Sequence, residues 1–530
     1  MAVMEQLAAT ISVPQSDSPA WLNALRSTLE PDSVLTDAAT LHFYSQDVFS
    51  EGAAISAVVA PNSVAQMQLA VKHLVDSNVA VLPRGGGLSY TSGYLATQQS
   101  AVLIDTQKLD KLVALNIEDR YVTVEAGMCW AALNALLSPH NLRTPYWGPL
   151  SGLRSTVGGA LSQGSVFLGS GEHGSVGDSV LGLEVVLADG SLLTTGSAAA
   201  KNTAPFMRYF GPDLTGLFVG DAGALGVKVR ATLKLIPREV AIDFVSAQFS
   251  EPSQMIAAMS EISRCNIAAE CFSFDPVLLA QRKKRMSMLA DAQTLINVVK
   301  LSGLKAGFGL VKTGREFVGE HMHSAHVCLE GSSASEVAIK VEKVKKILGL
   351  HGELIENSFP KALRALPFSA PNSMLGPAGE RWVPVHGVLP HSQAQQAFAQ
   401  SQAFFISKKP MLEQHQIRIG YLQTTVAQQG ILIEPVFYWP DVHSSYHKQM
   451  VEADYLKKCG EPAPNPAATE AVTLLKRETA DLLRNLGATH FQFGKFYTFR
   501  EGRNMGALAL FDAIKKQLDP KGLMNPGVLI

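Results

Sequence analysis

The run Pro83-Arg84-Gly85-Gly86-Gly87-Leu88-Ser89-Tyr90-Thr91-Ser92-Gly93 follows directly on the apolar segment Ala80-Val81-Leu82. Consecutive glycines let a backbone approach a ligand closely and turn its N–H groups inward as an anion nest. Ser89 and Thr91 add hydroxyl donors, and Arg84 adds a positive charge. The chemistry this suits is the holding of a diphosphate. The run is neither a GK[ST] phosphate loop nor a GxGxxG dinucleotide turn. Taken alone, a purely structural glycine turn accounts for it equally well.

Two more glycine clusters follow in order. One runs from Gly148-Pro149-Leu150-Ser151 through Ser155-Thr156-Val157-Gly158-Gly159-Ala160 to Gly177, with Ser162 within it. The other is Asp213–Val227, ending in Gly226-Val227 before the strand-like VRATLKLIP. Further along, Ile431–Asp441 reads as a strand whose alternation places Glu434, Val436 and Tyr438 on one face and Pro435, Phe437 and Trp439 on the other. An aromatic-rich strand with one carboxylate suits a pocket for an aromatic substrate, so Glu434 and Trp439 are candidate substrate contacts; a core strand with a surface glutamate is the alternative. His386, expected to end a strand and open a helix, is a candidate base, as is Tyr438. Tyr497 and Arg500 close the set in the run His490–Arg500. His321, His323 and His326 lack a carboxylate at metal spacing, so no metal is expected.

Elements must position these residues. Helical lead-in segments before position 45 precede a dense mixture of strands, helices and glycine turns, including an Ala-Asp-Gly hairpin signal at 188–190. From about 241 strand–helix–strand units repeat, which predicts a ferredoxin-like antiparallel sheet. The fold class is therefore α+β, with 1–240 as one domain, 241–486 as a second and 487–530 as a segment returning to the first. The stretch 281–320 is rich in Lys and Arg with apolar residues between; it reads either as a solvated helix pair or as a peripheral contact with an anionic membrane.

Composition bounds the class. The chain has 530 residues, 47% hydrophobic and 17% charged, with net charge −1. That excludes a disordered chain and disfavours nucleic-acid binding. Five scattered cysteines without CxxC spacing, no signal-peptide pattern and no long apolar run point to a cytoplasmic enzyme, membrane-associated only if 281–320 makes it so.

In this order, the three glycine clusters resemble the FAD-binding domain of the vanillyl-alcohol oxidase / p-cresol methylhydroxylase superfamily over about 50–238. The closing LDPKGLMNPGVL is similar to that superfamily's last segment, and the middle region resembles its substrate-binding cap. The resemblance implies FAD as cofactor. Pro83, Arg84, Gly85, Gly86, Gly87, Leu88, Ser89 and Tyr90 would cradle the pyrophosphate. Pro149, Ser155, Thr156, Gly158, Gly159 and Ser162 would line the flavin and its ribityl chain, and Ala224–Val227 the adenine side. The glycine loop has no histidine for the bicovalent link some members carry; His386, Tyr438 and His443 are cap-domain candidates for a single link, and non-covalent FAD is the default. Phenol-oxidising members hold the phenolate with a Tyr-Arg pair and a loop tyrosine. Tyr90 looks like that tyrosine, but the pair falls on Phe496-Tyr497, leaving Tyr497 and Arg500 as substitutes. Their acidic residue beside the flavin falls on Ser175 or a neighbour. The branch oxidising D-2-hydroxy acids carries an HxGDGNxH-type metal element absent here. An FAD-dependent oxidoreductase acting on a phenolic or aromatic alcohol is expected, a D-2-hydroxy acid dehydrogenase being the alternative and an idle binding protein on the same fold a third. O2, a quinone or a cytochrome would reoxidise the flavin, and a homodimer would be in keeping with the superfamily.

Overall fold

The computed structural model describes residues 19–285 and 321–530. Most of the basic stretch 281–320 lies outside the described residues, as does the N-terminal segment before 19. Strands before residue 240 form two main sheets. In the first, Ala57–Val59, Ala101–Asp105 and Ala80–Arg84 run parallel, with Val34–Leu35 antiparallel at the edge. Parallel pairing requires crossovers, and the helix Val64–Asp76, capped by the Ser63 side chain, supplies one. It buries Met67, Ala70, Val71, Leu74 and Val75 against the sheet.

The second sheet is antiparallel, in the order Leu112–Asn116, Tyr121–Glu125, Val227–Lys234, Val180–Val186, Leu192–Thr194. Its last pair is closed by the expected turn, with Gly190 at φ +80°.

Strands from 241 to 439 build one antiparallel sheet. Its first four members stand in the order Glu353–Ile355, Ala241–Phe249, His323–Gly331, Glu270–Phe274. In chain order that is 4-1-3-2, the split β-α-β arrangement of a ferredoxin-like unit. Arg418–Val426, Gly430–Trp439 and the short strands Arg381–Pro384 and Gly387–Pro390 extend it. The helices Pro252–Arg264, Ala334–Gly349, His391–Ser407 and Pro466–Asn485 bury their apolar sides on one face. The other face looks toward the first two sheets.

His386 falls in the break between two strands, not at a strand–helix junction, since the helix begins only at His391. The Pro435 carbonyl accepts from the Val385 amide at 2.9 Å, but Pro435 has no N–H to return to Val385, and the ladder is interrupted there. The His386 amide donates to the Tyr497 hydroxyl at 2.9 Å. After the helix Met505–Leu518 the chain returns to the first sheet, where Met524 bridges Val81.

Candidate active site

A cleft of about 1910 Å³, its open mouth included, separates the first two sheets from the bare face of the third. The glycine loop forms one wall, and its carbonyls are drawn back from the cleft. The Gly85 carbonyl accepts from Arg84 (3.3 Å), and the Gly87 carbonyl accepts from the hydroxyls of Tyr94 (2.9 Å) and Tyr446 (2.7 Å). The Val48 amide donates to the Ser89 carbonyl, and the Lys476 ammonium donates to that of Tyr90 at 2.7 Å. Among the described residues no acceptor meets the amides of Gly85 through Ser89, which line the cleft. Carbonyls pinned behind and amides left in front make the anion nest that the glycine run predicts.

Two glycines are required by close approach. A Cβ on Gly85 would lie 2.3 Å from Thr156 Oγ1, and one on Gly86 2.1 Å from the Arg154 carbonyl oxygen. The opposing wall is therefore in backbone contact with the loop. It comprises Pro149, Ser155, Thr156, Gly158, Gly159 and Ser162, at the start of the helix Val157–Gln163, which the Thr156 side chain caps. Gly226 and Val227 line the far end beside Lys228, whose ammonium is paired with buried Asp221. Ala224 and Leu225 sit in the core instead of the cleft wall.

The charge of Arg84 is placed differently from the sequence expectation. Its buried guanidinium folds beneath the loop, 3.6 Å from Asp105 and 4.5 Å from the Tyr44 ring. It supports the loop from below, because an apolar box and a carboxylate already hold it there.

At the other end the cap lines the cleft with Leu278, Met374, Trp382, Leu422, Leu432, Val436 and Tyr438, joined by Phe167 and Phe491. Polar side chains among them include Tyr90, Thr424, Glu434 and Gln492. The strand Gly430–Trp439 presents Glu434, Val436 and Tyr438 inward, as its alternation dictates. Trp439 is on the opposite face, packed among the helices with its indole N–H donated to Thr469 at 2.8 Å. It is a core residue, so its assignment as a substrate contact is corrected by the pleat itself.

Burial and the negative charge of Glu434 raise the Tyr90 hydroxyl well above the usual phenol range. It is a neutral donor at physiological pH. His386 and Tyr497 lie behind Tyr90, outside the cleft lining. The Tyr497 ring stacks on His490 at 4.1 Å. Burial drives the His386 pKa down to about 3, so it is neutral. Arg500 is exposed and clasps Asp512 at 2.6 and 2.9 Å, away from the cleft. Helix Met505–Leu518 supplies that partner, which is why the expected substrate role does not fit. Ser175 caps the short helix Val176–Ser179 and also lies outside the lining. His443 bonds the Gly379 carbonyl at 2.8 Å, likewise outside it; Tyr438 alone of the three candidate attachment residues faces the cleft. His326 is clamped between Ser246 and Ser324, both at 3.0 Å.

Sequence reasoning missed Gln492, Lys476, Trp382 and Thr424, none of which belongs to a local motif. Trp382 and Gln492 lie far apart in sequence and meet only across the cleft. Lys476 is the eleventh residue of its helix, buried to 1% exposure between the rings of Phe49 (4.4 Å) and Phe496 (4.0 Å).

A nested glycine loop facing an antiparallel cap across such a cleft is the fold of p-cresol methylhydroxylase. The solved structure of p-cresol methylhydroxylase with substrate bound superposes at a TM-score of 0.69 with 16% identity, covering 96% of each chain. Residues 55–196 are an FAD binding domain. Curated relatives include the glycolate oxidase subunit GlcD of Bacillus subtilis (strain 168), 29% identical over 225 residues, 42% of this chain and 46% of that protein. A probable mitochondrial D-lactate dehydrogenase of Danio rerio is 34% identical over 208 residues, 39% of each. These alignments span less than half the length of either relative. The residues present fit FAD: the amides of Gly85–Ser89 and the capped helix start would hold its pyrophosphate, with the Arg84 guanidinium placing positive charge beneath the loop. Among the described residues no helix is long and apolar enough to cross a membrane.

Proposed function

We propose that this protein is an FAD-dependent oxidoreductase that dehydrogenates a small phenolic or benzylic alcohol. One observation carries the reading: the substrate end of the cleft is aromatic and apolar, holds the Glu434 carboxylate, and has no cation to spare among its described lining residues. Arg84 is engaged by Asp105 and Lys228 by Asp221. A neutral ring gains from that lining, whereas a substrate carboxylate would meet the charge of Glu434 in a poorly solvated site.

FAD, when bound, supplies the two-electron acceptor for a hydride. Tyr90 donates its O–H to the substrate oxygen and orients it. Glu434, the carboxylate at this end, accepts the hydroxyl proton. The cap sheet, with Trp382, Leu422 and Val436, keeps water from the reacting carbon. O2, a quinone or a cytochrome then takes the electrons.

The experiment is anaerobic bleaching of the flavin absorbance against a panel of aromatic alcohols and D-2-hydroxy acids. Bleaching by aromatic alcohols alone supports the reading, and bleaching by D-lactate or glycolate alone replaces it. That second reading, a D-2-hydroxy acid dehydrogenase, is favoured by the names of the curated relatives, which match about two fifths of the chain.

A further inference from the structure

Two loops of the flavin-binding part reach the cleft from different stretches of chain. One is the glycine loop, which ends at Gly93; the other starts at Asp221 and carries Ala222 and Gly223 into the lining at the far end. Each is folded on its own account. The hydroxyls of Tyr94 and Tyr446 and the Lys476 ammonium hold carbonyls of the first. The Asp221 carboxylate folds the second, accepting from the Gly223 amide at 3.0 Å, from the Leu225 amide at 3.3 Å and from the Lys228 ammonium. The Ala222 amide donates to the Ser162 carbonyl at 2.9 Å, which ties the second loop to the helix Val157–Gln163 and not to the glycine loop.

The polar bond between the two loops comes from a third segment. After the helix Met505–Leu518 the chain lies beside the strand Ala80–Arg84. The Val81 amide donates to the Leu523 carbonyl at 2.9 Å, and the Asn525 amide donates to the Val81 carbonyl at 2.8 Å. Asn525 takes φ +44° there and is 1% exposed. Its side-chain nitrogen donates to the Gly93 carbonyl at 2.7 Å and to the Ala222 carbonyl at 2.6 Å. Both partners only accept, so the atom facing them is the NH2 group, and each of its two protons is committed to a different loop. Lys515 adds a second hold from the same segment, donating to the Ala224 carbonyl at 2.6 Å and to the Met524 carbonyl at 2.9 Å. Asn525 itself does not line the cleft.

We infer that Asn525 is a positioning residue for FAD: its side chain sets the spacing between the loop that would hold the pyrophosphate and the loop that would face the adenosine half, and so favours the dinucleotide over a mononucleotide flavin. A ligand that spans both loops gains from a spacing fixed in advance, whereas one that touches a single loop does not. The inference rests on the cradle drawn for FAD and is independent of which alcohol is oxidised.

The test titrates the apoprotein with FAD and with FMN, followed by quenching of flavin fluorescence. Asn525→Gly keeps the left-handed backbone and removes the amide. Asn525→Asp keeps the shape but sets a carboxylate, which cannot donate, against two carbonyls. Both are expected to raise the FAD dissociation constant about tenfold, the net worth of about one hydrogen bond, and to move that of FMN by less than about two-fold. Gly86→Ala, which distorts the nest itself, is expected to weaken both flavins, so a fault in the cradle and a fault in the clasp read differently. A merely structural role for Asn525 weakens both flavins alike or neither. FAD affinity within about two-fold of the parent, or equal losses for FAD and FMN, overturns the inference. Where FMN binds too weakly to titrate, the rise in melting temperature that FAD gives over the apoprotein decides: a smaller rise in both variants than in the parent supports the clasp, and an unchanged rise overturns it.

Discussion

The substitution Gly86→Ala tests the nest most directly. The added methyl would lie 2.1 Å from the Arg154 carbonyl oxygen, 2.8 Å from its carbon and 3.4 Å from Ser155 Cα. All three are backbone atoms, so no side chain can swing aside. Ordinary contact requires the two walls to part by about 1 Å, and overpacking of this kind costs about 1–3 kcal/mol. The displaced strip is the one that carries the phosphate-facing amides on one side and the helix Val157–Gln163 on the other, so the cost falls on cofactor binding. Converted at about 1.4 kcal/mol per decade, the FAD dissociation constant should rise about 5- to 150-fold. Titration of the apoprotein by quenching of flavin fluorescence measures it, with thermal melting of the apoprotein run alongside. Gly349→Ala, where a Cβ meets nothing within 4 Å, is the control. Affinity within about two-fold of the parent, with unchanged apoprotein melting, would refute the claim that loop and helix start form one rigid cradle.

Other consequences can be checked in parallel. Tyr90→Phe should lower kcat/KM for an aromatic alcohol about 10- to 100-fold, the value of a hydrogen bond made to a charge developing on the substrate oxygen, with little change in melting; steady-state kinetics decides. Arg500→Ala should leave turnover within about two-fold, because an exposed ion pair with Asp512 adds little; a large kinetic loss would return Arg500 to the site. Arg364 clasps Glu270 at 2.8 and 3.0 Å and also pairs with Glu330, which Arg143 holds at 2.6 Å, so Arg364→Met strands buried carboxylates between the flavin-binding part and the cap. It should cost about 3–5 kcal/mol, seen in denaturant melts at pH 7. Burial holds His386 and His326 at about 3, below their ordinary 6.5, so the unfolded chain binds more protons and stability rises with pH between those limits. Lowering the pH from 7 to 5 should remove up to about 2 kcal/mol for each histidine; equal melting temperatures at the two pH values would contradict their burial in the neutral form.

Much of the cofactor half was readable because its determinants are local. Gly87 takes φ +75° against the side chain of Arg84, three residues back, and Ser63 and Thr156 cap the helices that follow them; the demand on Gly85 and Gly86 comes from Thr156 and Arg154, far along the chain. The alternation of 431–439 correctly put Glu434 and Tyr438 on one face and Trp439 on the other. What alternation could not say was which face meets the cleft, and Trp439 was assigned to the wrong one. That choice belongs to the four helices covering the opposite side of the sheet. The same holds for charge. Arg84 and Arg500 read as ligand-binding cations because their acceptors, Asp105 and Asp512, lie 21 and 12 residues away in sequence and meet them only in the fold.

Periodicity, caps and turn signals thus dictated an α+β chain with a ferredoxin-like sheet, since each rests on backbone sterics or on hydrogen bonds between near neighbours, while the flavin followed from the resemblance of the ordered glycine clusters to a known superfamily. The polar wiring of the site was decided by tertiary contact alone. His386 and Lys476 reach Tyr90 from separate segments of chain, and burial, which no local pattern encodes, makes His386 neutral and Tyr90 a donor.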